Sequence, residues 1–116
     1  MKALGLLEVF GLTTALVAAD AACKAGDVRI VTIDKNKPGN ADKLEVPLLI
    51  VIKFEGTVSD VEMAIEAGIA AANKVSGVSC SYVIPRVDEG IKGFVDTSCI
   101  GKRKVLLTQK SQFQLR

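Results

Sequence analysis

The side chains able to do covalent or metal chemistry are few and scattered. The three cysteines, Cys23, Cys80 and Cys99, lie far apart and form no C-x-x-C pair. An iron–sulfur or redox centre needs thiolates at close spacing, and a disulfide framework needs a dense, even set. Three isolated thiols in a reducing cytosol fit this spacing better. The chain has no histidine. That removes a Ser–His–Asp triad, a Cys–His nucleophile and every imidazole metal ligand. Proton transfer would fall to carboxylates, lysines, Tyr82 or the cysteines, and no matched acid–base pair stands out among them. No catalytic group, metal or cofactor is expected.

Charge is equally uninformative about a polyanionic partner. Fifteen Lys+Arg against thirteen Asp+Glu leave +2, too little to draw nucleic acid or an anionic membrane. Lys102-Arg103-Lys104 is the only basic run, and no aromatic residue is interleaved with it as a stacking platform requires. The stretch from Lys35 to Lys43 is the other polar feature. It holds charges, Pro38, Gly39 and two asparagines, Asn36 and Asn40, with almost nothing apolar, and reads as a long loop. Loops of this length often carry function.

The elements that would hold such a loop follow from apolar spacing. A chain of 116 residues, 49% hydrophobic and 4% aromatic, makes one domain with an Ala, Val, Ile and Leu core. Residues Ala3 to Phe10 read as a central strand, apolar on both faces apart from Glu8, and Gly11 ends it. A helix from Thr13 or Thr14 to about Ala25 follows, with Leu12, Ala15, Leu16, Ala19, Ala22 and Cys23 as its expected apolar stripe and Gly26 as its stop. Asp27 to Asp34 alternates Val28, Ile30 and Thr32 against Arg29, Val31 and Ile33. Val46 to Phe54 is the strongest strand, with Val46, Leu48, Ile50 and Ile52 on one face and Leu49 and Val51 on the other. Thr57 with Asp60, or Ser59 with Glu62, begins the next helix as a capping box. Val58, Val61, Ile65, Gly68, Ile69, Ala72 and Val75 recur along it at helical spacing as far as Gly77. Val78 to Ile84 is a fourth strand, stopped by Pro85. Beyond it, Glu89 to Val95 suggests a short helix, Lys104 to Thr108 an extra strand, and Ser111 to Arg116 a loose end.

The expected fold is therefore α+β. It is a four-stranded antiparallel sheet with helices on one face, in βαββαβ, ferredoxin-like order, plus a C-terminal extension. The N-terminal Met1-Lys2 and apolar run, with Ala19-Asp20-Ala21 further on, imitate a secretory signal. Glu8 interrupts the run and Asp20 sits at the supposed cleavage site, so no leader is expected. No apolar run approaches the ~20 residues that span a bilayer.

On this frame the motifs resemble the bacterial microcompartment shell domain. Ala3-Leu4-Gly5-Leu6-Leu7-Glu8, Gly11-Leu12, Ala18-Ala19-Asp20-Ala21 and Lys24-Ala25 are similar to the domain's opening. Gly56, Val58, Val61, Ala64, Glu66-Ala67-Gly68 and Ala70-Ala71-Ala72 match its second helix, and Val83-Ile84-Pro85-Arg86 matches the close of its fourth strand. The resemblance covers roughly residues 1–89, leaving 90–116 as an extension. It implies a structural protein rather than an enzyme, forming homohexamers that tile with other shell proteins around encapsulated enzymes. The implied location is a shell in the bacterial cytoplasm, with no nucleic-acid or membrane partner. It places Lys24 and Arg86 at hexamer–hexamer contacts. It also places the loop of Asn36, Lys37, Pro38, Gly39, Asn40, Asp42 and Lys43 at a central pore for small metabolites.

Two features depart from the family pattern. The usual pore segment is a short Gly-rich turn, whereas Asn36 to Glu45 forms an insertion here, and the chain after Glu89 is longer than simple members require. Both suggest a specialised minor component. Because the same βαββαβ frame hosts many functions, a trimeric regulatory or ligand-binding protein of the nitrogen-regulatory type is the alternative.

Overall fold

A computed structural model of the chain describes residues 2–36 and 48–98. Four strands, β1 (Ala3–Phe10), β2 (Arg29–Asn36), β3 (Leu49–Gly56) and β4 (Val78–Ile84), form one sheet in the order β2-β3-β1-β4. Every neighbouring pair is antiparallel. Helices α1 (Leu12–Ala25) and α2 (Val58–Asn73) pack side by side on one face, α1 over β2 and β3, α2 over β1 and β4. This is the expected α+β, ferredoxin-like βαββαβ arrangement. A 3-10 turn (Glu89–Ile91) and a short helix α3 (Lys92–Val95) follow, where a short helix was expected.

Period-two alternation builds the inner face. Leu7 and Val9 of β1 stand opposite Ile52 and Ile50 of β3, all fully or almost fully buried, and Phe54 lies beside them. The helices answer with small residues. Thr14, Ala15, Ala18, Ala19 and Ala22 of α1 and Val61, Ala64, Ile65, Gly68 and Ala72 of α2 are the buried ones. A side chain at Gly68 would meet Leu7 at 2.8 Å and the Ala18 carbonyl at 3.4 Å, so glycine lets the two helices and β1 meet.

Helix boundaries have local causes. Gly11 takes φ 91°, a conformation L side chains disfavour, and turns the chain from β1 into α1. Thr57 caps α2: its hydroxyl accepts from the Asp60 N–H and donates to the Asp60 carboxylate, which makes Thr57 the cap and not Ser59. At Gly26 the N–H still reaches the Ala22 carbonyl, but the backbone is extended at φ −136° and ψ 156°, and α1 ends.

Three expectations need correcting. The apolar stripe of α1 is rotated: Leu12, Leu16 and Cys23 are exposed, because alanines are what fit against the neighbouring helix and sheet. Strict alternation along β2 breaks at Val31, an extra residue between the pairs Ile30–Phe54 and Thr32–Lys53. Beyond this bulge Ile33 joins Ile30 on the inner face while Thr32 turns outward. Finally, β2 continues through Lys35 and Asn36, so these two residues, expected in the loop, belong to the strand and the connection begins only after Asn36. Val46, Cys99 and the expected strand at Lys104 to Thr108 lie outside the described residues.

Candidate functional site

The antiparallel path gives the domain two unlike ends. At the first, β1 and β2 finish, β3 begins, α1 starts and α2 stops. Here Asn36, exposed, closes β2 opposite Leu49, so the connection 37–47 leaves from this end. Lys37, Pro38, Gly39, Asn40, Asp42 and Lys43 lie outside the described residues. The surroundings are apolar: Leu12, Leu16, Leu48 and Val75 are all exposed. Among the polar contacts of the described residues here is a hydroxyl chain. Ser76 Oγ donates to the Phe10 carbonyl at 2.8 Å, which leaves Thr14 to donate to Ser76 at 2.8 Å, tying α1, β1 and the turn after α2 together.

The second end is charged. Lys24 sits in the last turn of α1, where its ammonium pairs with Asp20 one turn earlier at 2.8 Å. The hydrogen bond that Lys24 donates to Asp20, with that carboxylate's charge, raises the Lys24 pKa above the ordinary lysine value. Arg86, after β4, is exposed and makes no ion pair among the described residues. Both residues therefore lie at the end opposite Asn36. At the same end Glu55 is the partner of Arg29 at 2.7 Å and of Lys2 at 3.8 Å, so that one carboxylate ties the ends of three strands. The bond from the Arg29 guanidinium holds the Glu55 carboxyl below the usual glutamate range; burial opposes it, and the charges of Arg29, Lys2 and Lys92 assist. Asp60 accepts from the Asp27 N–H, fixing the α1–β2 turn against the start of α2. Two clefts of about 350 and about 310 Å³ open at this end, both lined by Lys2 and Glu55.

The described residues offer little reactive chemistry. Cys80 faces Glu8 across β4 and β1, with sulfur and carboxylate 3.8 Å apart. Burial first, then the Glu8 charge, pushes its thiol pKa up, the opposite of what a nucleophile or thiolate ligand requires. Cys23 is exposed and free on α1. Among the described residues no three His, Cys, Asp or Glu side chains come together as a metal site, and no helix is long and apolar enough to cross a membrane. The arrangement suits contact between protein surfaces.

Sequence reasoning missed the outer face of the sheet. Lys53 was expected only as one residue of a strong strand, yet its ammonium reaches the Phe94 and Thr97 carbonyls at 3.2 and 2.9 Å. Its sole sequence signal is a charge inside an otherwise apolar run.

The fold agrees with comparison to known proteins. The BMC domain family model matches residues 3–87, and the chain belongs to that family. Among its relatives are the bacterial microcompartment shell proteins PduA of Citrobacter freundii and of Salmonella typhimurium, each 39% identical over 85 residues. Those alignments cover 73% of this chain and 82% and 81% of the relatives. A crystal structure of a microcompartment protein from Desulfitobacterium hafniense shares the fold, with a TM-score of 0.66 at 23% identity. The match covers 84% of this chain and 48% of that one, so this chain spans about half its length. The relatives are structural shell proteins, and a shell protein is the class of this chain.

Proposed function

We propose that the chain is the subunit of a cyclic homohexamer that tiles with other shell proteins into a microcompartment wall around encapsulated enzymes. The observation that carries this reading is the placement of Lys24 and Arg86 at one end of the sheet and of Asn36 at the other. A subunit in a flat ring needs one end toward the axis and one toward the rim. The exposed leucines beside Asn36 suit a permanent interface, since obligate interfaces are the more apolar ones. The charged end suits contacts that form and break. Lys24 can lay its stem along a neighbour while its ammonium finds carbonyls, and Arg86 offers a planar fork.

In this reading the connection holding Lys37, Pro38, Gly39, Asn40, Asp42 and Lys43 meets five copies of itself near the axis. Each copy brings two lysines against one carboxylate, and rings of like charge in a narrow passage select small solutes by sign. Residues 90–116 extend the shell domain. The membership in a shell family supports this reading over a trimeric regulator.

Mass in solution tests the ring directly. Light scattering at micromolar concentration should give six copies; a stable monomer overturns the reading, and three copies favour the regulator. Deleting residues 36–42 should leave the hexamer folded while changing its permeability to small anions.

A further inference from the structure

The sheet's outer face carries a device that neither the shell reading nor the family assigns. Residues 89–98 lie across β2 and β3 on the side away from α1 and α2, and little of the segment is covered: Val95 is half-buried and Ser98 is buried. None of the residues from Glu89 to Val95 is buried, and Phe94 is 78% exposed. Apolar burial is therefore not what holds the segment down. Polar contacts to its backbone do so. Thr32 Oγ1 donates to the Val95 carbonyl at 3.1 Å, and Ser98 Oγ donates back to the Ile33 carbonyl. Lys53 Nζ donates to the Phe94 and Thr97 carbonyls and lies 3.9 Å from the Asp34 carboxylate. Its side chain is only 13% exposed. Two of the three donors of the ammonium go to those carbonyls, and the Asp34 carboxylate adds an ion pair at 3.9 Å. The Phe94 carbonyl lies in α3 and also accepts the Thr97 N–H at 3.3 Å, while the Thr97 carbonyl lies two residues past the helix.

We infer that residues 89–98 form a strap latched to the sheet by Lys53, which opens and closes as a unit without unfolding the domain. Segments with little apolar burial and exposed backbone bonds are those that open locally at low cost. Closed, the strap holds Ser98 against Ile33, close to where β2 ends at Asn36. The latch thereby makes the chain after Ser98 begin beside the strand that carries the 37–47 connection. Open, it frees that chain from β2 and bares Thr32, Asp34 and Lys53. Lys53 is a positioning residue in this device. The inference holds whether or not the protein forms a ring.

Hydrogen–deuterium exchange on the full chain tests it. Hydrogen bonds from a charged donor are the strong ones, so Lys53→Met should speed exchange across residues 92–98 by about tenfold or more. Exchange in α1 and α2 should stay as in the parent protein. Unchanged exchange across 92–98 would overturn the latch, and so would an equal rise throughout the domain, which would make Lys53 a determinant of global stability instead. Should Lys53→Met fail to fold, the double variant Thr32→Val, Ser98→Ala removes two strap contacts while leaving the lysine paired. The same local rise is then expected, and its absence overturns the inference.

Discussion

Leu12, Leu16, Leu48 and Val75 crowd the end of the domain where β2 finishes, while Lys2, Lys24, Arg29, Glu55, Asp60 and Arg86 occupy the other. Both ends are built from loops and helix termini on one sheet, so the contrast is one of side chains and not of architecture. It teaches how a single small domain can serve two kinds of contact. Exposed leucines lose free energy in water roughly in proportion to area, whatever the salt. Exposed charges lose little by staying wet, and their attraction fades over a Debye length. An apolar end is thus suited to remaining covered, and a charged end to being covered reversibly.

The contrast breaks most completely at the apolar end. Leu16→Glu places a charge on the exposed stripe of α1, and should convert the proposed hexamer to smaller species by native mass spectrometry. The fold should survive, because Leu16 is already more than half exposed. If the mass is unchanged, the apolar end is not the ring interface. Next in size is the loss of sheets at the charged end: Lys24→Asp or Arg86→Ala should leave six-copy particles but abolish extended sheets in electron micrographs. Raising salt to about 1 M, where the Debye length is about 3 Å, should mimic that effect on sheets and spare rings.

Two smaller effects separate the charged end's internal order from its contacts. Thr57→Ala removes the cap of α2 and should cost about 1 kcal/mol in a denaturant titration. The Glu55 pair with Arg29 should contribute less, about 0.5 kcal/mol, since the guanidinium is mostly exposed. Its pH dependence is more diagnostic than its size. The folded carboxyl titrates below its unfolded value, so the contribution is complete above the usual glutamate range and disappears as pH falls through the folded value. Glu55→Gln should flatten that part of the acid limb of stability while leaving stability near pH 9 to differ by a constant.

Much of the frame was legible in the sequence because it is written locally. The limits of β1 and β4, and Thr57 with Asp60 as a cap, depend on neighbours a few residues away. The stripe of α1 follows helical spacing only in part, since spacing does not say which of two adjacent apolar rows packs inward. Packing against β2, β3 and α2 selects methyl groups, and leaves Leu12 and Leu16 outside. Lys24 and Arg86 were visible only through resemblance; that they share an end depends on strand direction, which no spacing rule states. The Lys53 contacts were invisible for a different reason: their acceptors are backbone carbonyls some forty residues away, and a carbonyl carries no residue identity.

The bulge at Val31 carries one more consequence, for how this lineage can vary in length. Elsewhere in β2, losing one residue would invert every later side chain, sending isoleucine to solvent and threonine into the core. At Val31 it would not, because Ile30 already pairs with Phe54 and Thr32 with Lys53 as consecutive rungs. Removing Val31 would heal the ladder and leave Ile33 inward, Thr32 outward and Asn36 opposite Leu49. The strand thus contains one dispensable position, where descendants could shorten the chain while every downstream neighbour stayed in place.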